Sequence, residues 1–291
     1  MIIESKPFIP SRALELEYRR QLKDLFSPIF KEVADTILQA YRTDIAQDGV
    51  DDIEKTITEL KDKVDRTVRE KGVEEAKKMV MKTFKFCQAT FNIIMARLLP
   101  KEKALMIPGS AISKGIEEII KASIYENVTL IKSIEDKYFE QVTGSVIRSM
   151  QGGSIAGLKQ DIYKQLKSEI LYDTKKAKKR ANLIALDQTR KTYMAITKQQ
   201  LIEAGTTKVK WLHSGGGEPR PYHLRKWDGH TGKNNGHPNG LNGFIFDLNN
   251  PPIIEHAYHP KTSRGTYRGE RRGLPGELIN CRCQMVAVLD I

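Results

Sequence analysis

The chain has 291 residues, of which 40% are hydrophobic and 29% are charged, and its formal net charge is +12. This composition excludes a disordered tail, and the length allows a sizeable core in one large domain or two ordinary ones. No apolar run reaches the roughly 18 to 20 residues that cross a bilayer, because the best one, 91–99, is short and contains Arg97. The first residues lack the pattern of a secretory signal, so the cytoplasm is the expected compartment.

The positive charge is concentrated in the second half of the chain. Residues 1–150 contain 25 Lys and Arg against 24 Asp and Glu, whereas residues 151–291 contain 23 against 12. Such asymmetry favours contact with a polyanion, most often nucleic acid, through salt-sensitive and nonspecific interactions. The alternative is a solvated basic surface that serves only solubility.

Three cysteines do not make a disulfide framework and indicate a reducing environment. Cys87 lies in a helical apolar pattern and is expected to be a small core residue. The other two cysteines, both tryptophans, all six histidines and thirteen of the 21 glycines lie beyond residue 204. The composition therefore changes at the start of the last segment.

Apolar residues recur at three- and four-residue steps through the first two-thirds of the chain and predict a series of helices. The predicted helices cover 11–47 with a kink at Pro28, 53–70, 73–99, a long stretch from an N-cap at Ser110 to Gly152, a short stretch capped by Ser154, and a last one from Asp173 to Glu203. Gly205 is the expected C-cap of the last helix. The helix after Ser110 is unusually long for a globular protein and could bridge two bodies.

After Gly205 the helical period stops. Alternation and β-forming residues predict short strands at 209–212, 244–246 and 278–288. The predicted fold is α+β: a mainly helical N-terminal two-thirds with long helices, followed by a small, loop-rich α+β module. We divide the chain into a helical N-terminal region at 1–108, long helices at 109–204 and the small module at 205–291.

His223, Cys281 and Cys283 suggest a zinc site, because two thiolates two residues apart on a strand share a face and a loop histidine can join them. A fourth ligand would have to come from His213, His237, His256 or His259. The paired Cys-x-x-Cys units of ordinary structural zinc sites are absent. Alternatively, the thiols pack as small apolar groups while Arg220, His223 and Asn280 hydrogen-bond the loops together.

Enzyme motifs are poorly matched. The His-, Asn- and Gly-rich module suggests a His-Asn-His nuclease, but an obvious adjacent His-His or Asp-His dyad in a hairpin before a helix is absent. No phosphate-binding P-loop, nucleophile elbow or dinucleotide fingerprint is present.

Two basic clusters are candidate DNA contacts. The first lies in what the periodicity predicts as the opening turns of a helix, where cations oppose the helix dipole and a bound polyanion would relieve the repulsion. The second lies in a glycine-containing loop that suits phosphate contact. The candidate residues are Lys175, Lys176, Lys178, Lys179 and Arg180 in the first cluster, and Arg264, Arg268, Arg271 and Arg272 in the second. Either cluster could instead be a solvated face.

A set of residues in the second half of the chain resembles a known family. The set is Ile184-Ala-Leu-Asp-Gln-Thr189, Gly205, Trp211, Arg220-Pro-Tyr-His223, Gly229, Phe246, Pro275-Gly-Glu277 and Asn280-Cys-Arg-Cys283. It is similar to the Mu F-like head morphogenesis, or minor capsid, proteins of tailed bacteriophages over roughly residues 120 to 288. The closing Asn-Cys-Arg-Cys is the most specific part.

The chain departs from the family pattern at two places. Leu186-Asp-Gln188-Thr189 stands where the family usually has an Arg-Thr-Glu-Thr-like run, and Gly216 or Gly217 stands where it has an acidic residue. These changes weaken any catalytic role that needs a carboxylate there, but leave a packing role intact.

The resemblance implies a non-enzymatic virion protein, present in few copies at the portal vertex, that enters the procapsid during assembly and touches packaged or ejected DNA. Its implied partners are the portal protein, double-stranded DNA without sequence preference, and scaffold or major capsid protein as further candidates; no membrane is implied. The implied location is the head interior or portal vertex, and the host cytoplasm during assembly. The motif residues expected to be structural are Gln188, Thr189, Trp211, Arg220, His223, Gly229, Asn280, Cys281, Arg282 and Cys283. The alternative function is a metal-dependent nuclease or toxin-like effector that uses the His- and Cys-rich module.

Overall fold

A computed structural model describes residues 2–47, 51–98, 112–151, 159–214, 223, 240–255, 271–279 and 281–290. The helices are α1 (Arg12–Gln47), α2 (Asp51–Leu98), α3 (Lys114–Gln151) and α4 (Lys159–Glu203). The strands are β1 (Ile2–Glu4), β2 (Lys208–Leu212), β3 (Ile245–Asp247), β4 (Ile253–Glu255), β5 (Arg271–Arg272) and β6 (Gln284–Asp290). The predicted fold class, long helices followed by a small sheet-containing region, is confirmed.

Two of the described helices, α2 and α4, are longer than predicted. α2 is continuous where the periodicity predicts a break near Gly72. Glycine suits this position because a Cβ there would lie only 3.0 Å from Cγ2 of Ile131 in α3. Gly72 therefore allows a close helix contact and does not end a helix.

The prediction that the last helix starts at Asp173 is wrong, because α4 begins at Lys159. Asp173 is buried, and its Oδ2 accepts a hydrogen bond from Ser145 Oγ at 3.4 Å. A buried carboxylate that bonds to a neighbouring helix has the same sequence signature as a helix cap.

The helix ends follow ordinary capping rules. Ser113 caps α3, since its Oγ accepts a hydrogen bond from the Ile116 amide at 3.1 Å. The predicted cap residues Ser110 and Ser154 lie outside the described residues. Gly205 ends α4 as predicted, with a φ of 74°, and the Thr206 amide bonds to the Leu201 carbonyl at 2.8 Å in a Schellman arrangement.

The main sheet has four antiparallel strands in the order β1-β6-β2-β3. β2 lies inside the sheet, and Val209 is opposite Ala287 on one side and Phe246 on the other. The first and last described strands of the chain, β1 and β6, are paired, which local sequence patterns do not indicate. β4 and β5 form a separate two-stranded sheet.

The last strand is predicted to begin at Leu278, and this start is wrong because β6 begins at Gln284. Cys281 and Cys283 therefore precede the strand, and a shared strand face is not what brings them together.

The chain forms two compact units. The helical unit comprises Ala13–Val80 and Ala122–Gln188, and the sheet unit comprises Met1–Arg12, Met81–Lys121 and Thr189–Ile291. The predicted division at 1–108, 109–204 and 205–291 follows composition along the chain, whereas α2, α3 and α4 each contribute residues to both units. That division stays a prediction.

Each unit has its own apolar core. In the helical unit, the ring of Phe30 packs against Tyr138 with centroids 4.4 Å apart. In the sheet unit, Phe8 packs against Phe91 at 6.0 Å, and Trp211 is fully buried. Among the described residues, no helix is both long and apolar enough to cross a membrane.

Candidate metal centre

His223 is held in the interior of the sheet unit by backbone and ring contacts. Its carbonyl accepts a hydrogen bond from the Asn242 amide at 3.2 Å. Its ring meets the Trp211 indole edge to face, with centroids 5.2 Å apart and an interplanar angle of 67°. Only 2% of the residue is exposed. Trp211, which β2 positions, thus forms one wall of the site.

The segment before β6 folds into tight turns that place the two cysteines. Gly276 has a φ of 85°, and a Cβ there would lie 3.0 Å from Met194 Cγ, so glycine is favoured both by backbone conformation and by space. The Cys281 amide bonds to the Leu278 carbonyl at 2.9 Å. Cys283 directly precedes β6, whose Gln284 is opposite Leu212 of β2.

The three side chains converge on one point. His223 Nδ1 lies 3.5 Å from Cys283 Sγ and 3.9 Å from Cys281 Sγ, and all three atoms lie within 4.8 Å of one another. Cys281 is 5% exposed and Cys283 is 3% exposed. The group can hold a metal ion, because thiolate and imidazole are common metal ligands in proteins.

The electrostatics of the group favour a thiolate. The hydrogen bond from Cys283 lowers the pKa of Cys281, the His223 ring lowers it further, and burial acts in the opposite direction. The Gly276 amide also donates to Cys281 Sγ at 3.4 Å. Donors directed at a sulfur stabilise its ionised form, which is the form that binds metals.

His213, another candidate ligand, follows β2 and is half-buried. Burial lowers the pKa of its imidazole, the nearby His223 lowers it further, and Cys281 raises it. The other proposed ligands, His237, His256 and His259, lie outside the described residues.

The remaining motif residues are divided between the two units. In the helical unit, Gln188 is buried, donates to Glu126 Oε1 at 3.1 Å and accepts from Asn127 Nδ2 at 3.4 Å. Thr189 is buried in the sheet unit and Arg282 is exposed there. Arg220, Gly229 and Asn280 lie outside the described residues.

The first basic cluster lies on α4. Lys175, Lys176, Lys178 and Lys179 are exposed, whereas Arg180 is half-buried and donates to Ser133 Oγ at 3.0 Å. Because α4 begins at Lys159, this cluster is in the helix interior, and the argument from repulsion by the helix dipole no longer applies.

The second basic cluster is described only in part. Arg271 and Arg272 are exposed on β5, and Arg272 Nη1 donates to the Pro251 carbonyl at 3.0 Å and to Asn250 Oδ1 at 3.2 Å. Arg264 and Arg268 lie outside the described residues.

Sequence reasoning misses the support that two further residues give to the site. The sequence indicates Gly276 only as part of the Pro-Gly-Glu motif, and no sequence signal predicts the contact of its amide with Cys281. No sequence pattern indicates Asn242, although this residue forms hydrogen bonds with the His213 amide and the His223 carbonyl.

No protein-family profile matches the chain. No solved structure matches it. It is similar to an uncharacterised protein of Haemophilus influenzae, with 31% identity over 179 residues, which are 61% of this chain and 31% of that protein. The chain thus spans about a third of the length of that relative.

Proposed function

We propose that this chain is a minor capsid, or head morphogenesis, protein of a tailed bacteriophage. It acts in procapsid assembly at the portal vertex in few copies, with the portal protein as partner, and contacts packaged or ejected DNA. The proposal rests on the motif residues that end in Asn-Cys-Arg-Cys and on the site that these last residues build.

The observation that carries the proposal is the burial of the His223, Cys281 and Cys283 side chains. A catalytic metal keeps a coordination position open to substrate or water, whereas a structural metal is enclosed. These three residues are 2%, 5% and 3% exposed, so the arrangement supports a structural role in preference to catalysis. This favours an assembly protein over a nuclease.

The ion that best fits the three side chains is zinc. With Zn–S bonds near 2.3 Å, Zn–N bonds near 2.0 Å and tetrahedral angles, a sulfur and a nitrogen ligand are about 3.6 Å apart. The two S···N separations of 3.5 and 3.9 Å are close to that value. The Gly276 amide would remain as a hydrogen bond to a coordinated sulfur.

Zinc would supply a cross-link between parts of the chain that are distant in sequence. The turns before β6 would be tied to His223, and through the Trp211 contact to β2. Such a link stabilises a small, loop-rich region whose apolar core is limited.

The DNA contact is assigned first to the exposed side of α4. Over residues 163–183 the carboxylates are Glu169 and Asp173, and both bond to side chains of α3. Four exposed lysines in this stretch form no ion pair with any described residue: Lys167, Lys175, Lys178 and Lys179. On α2, in contrast, Lys78 is paired with Glu74 at 2.7 Å. Unpaired cations along one helix suit the phosphates of DNA.

The experiment is a salt titration of duplex DNA binding by the full chain, together with a nuclease assay. Replacing Lys175, Lys178 and Lys179 by Gln should reduce the slope of log K against log salt by about three, since each phosphate contact contributes about 0.9. The control replaces the exposed Lys23, Lys31 and Lys55 by Gln, which changes net charge equally and should leave the slope unchanged.

Absence of salt-dependent binding in the wild-type chain would remove the DNA contact from the proposal. Metal-dependent DNA cleavage that is lost in His223→Ala would favour the nuclease or effector function instead.

A further inference from the structure

The fourth coordination position of the proposed metal centre is not supplied by the three clustered side chains. Structural zinc sites are almost always four-coordinate and closed. Among the described residues, the ligand atoms that group within 4.8 Å belong only to His223, Cys281 and Cys283. A fourth ligand must therefore approach from a neighbouring segment.

His213 is the second histidine that the structure describes in the sheet unit. It directly follows β2 and lies two residues after Trp211, whose ring packs against His223.

Asn242 fixes the backbone of the two histidines relative to each other. Its side-chain oxygen accepts from the His213 amide at 2.9 Å, and its own amide donates to the His223 carbonyl at 3.2 Å. One residue therefore holds both segments by hydrogen bonds.

We propose that His213 is the fourth ligand, so that the centre is a Cys2His2 site made of His213, His223, Cys281 and Cys283. The His213 ring reaches the ion by a change of rotamer, which its half-buried position permits. The inference rests on the proposed metal centre, and it assigns the ligand that encloses the ion.

The test is a cobalt titration of the full chain followed by visible absorption, with zinc competition to measure affinity. Wild-type protein should bind one Co²⁺ with the intense bands of tetrahedral coordination and with sulfur-to-metal charge transfer. His213→Ala should weaken binding roughly 100-fold or more, because loss of even an outer-shell partner costs 10- to 100-fold. His237→Ala, His256→Ala and His259→Ala are the matched controls and should bind as wild type.

A second variant separates ligation from folding. His213→Cys should keep tetrahedral cobalt and raise the charge-transfer absorption by about half, since the thiolates increase from two to three. A merely structural role for His213 would not produce that spectral gain.

The outcomes distinguish the two proposals. If the wild type binds cobalt and His213→Ala is unaffected while another histidine variant loses binding, His213 is not the ligand although the metal centre stands. If neither the wild type nor His213→Cys binds cobalt or zinc, the metal centre itself is wrong and His213 has no such role.

Discussion

Glu135 is a titratable residue of the helical unit whose environment is unfavourable for a charge. It is 1% exposed, and neither carboxylate oxygen has a hydrogen-bond partner among the described residues. Burial raises its pKa to about 7, and the nearby Asp65 and Asp136 add to the rise, while Lys132 and Lys61 oppose it. Near pH 7, folding therefore favours the protonated acid.

The raised pKa of Glu135 predicts that the stability of the chain depends on pH. Because the pKa is higher in the folded chain than in the unfolded one, the stabilising effect of the proton is complete below about pH 4.5 and is lost as pH rises through about 7. Between pH 5 and 8, the free energy of unfolding of Glu135→Gln should fall less than that of the wild type. At pH 8 the variant's free energy of unfolding should be higher by up to roughly 3 kcal/mol. Urea denaturation at each pH measures this.

The control for Glu135 is Glu140→Gln on the exposed side of the same helix, which should leave the pH profile unchanged. An unaltered profile in Glu135→Gln would show that the carboxyl is ionised, or solvated, in the native chain.

Among the secondary-structure elements, the transition from α4 to β2 depends on the backbone of Gly205. Its φ of 74° is in the left-handed region, and a Cβ at this position would have no atom within 4 Å. A substitution there is therefore strained by backbone conformation alone.

Gly205→Ala should lower the free energy of unfolding by about 1 kcal/mol, and Gly205→Asn by less, because Asn tolerates this conformation better. The same substitution at Gly144, inside α3, should instead raise it by up to about 1 kcal/mol, since the contact there is only the flexible end of Arg148. The urea midpoints of the Gly205→Ala and Gly144→Ala variants measure the two effects. Changes of the same sign in both variants would contradict the capping role of Gly205.

For the molecule as a whole, the proposed function predicts a place in the virion. Under that proposal, tailed-phage particles produced by the source strain should contain the chain, in a few copies for each portal assembly, as counted by quantitative mass spectrometry. Peptides of the portal and major capsid proteins in the same sample provide the reference for the copy number. Particles without the chain, alongside abundant chain in the lysate, would contradict the virion assignment.

Local patterns along the chain are sufficient to predict part of the fold. The periodicity of Leu22, Phe26 and Val33 predicts a helix, and all three are buried in α1. The Gly205 cap and the β2 alternation are likewise predicted correctly, because caps and strand alternation depend on residues a few positions apart.

Errors arise where a residue has a tertiary role that imitates a local signal. Gly72 resembles a helix break but makes room for Ile131, and Asp173 resembles a cap but is a buried partner of Ser145. The pairing of β1 with β6 joins the two ends of the chain, and such long-range contacts have no local signature.

Residue types and their spacing are enough to predict the succession of long helices and a small sheet region, the basic second half, and His223, Cys281 and Cys283 as a candidate metal group. How that group forms depends on the tertiary fold. The cysteines come together through the turns around Gly276 and not through a strand face, and Trp211 and Asn242 bring His223 to them. The physical reason is that residue type fixes which atoms can bind a metal, whereas the distances between them depend on contacts between segments far apart in the chain.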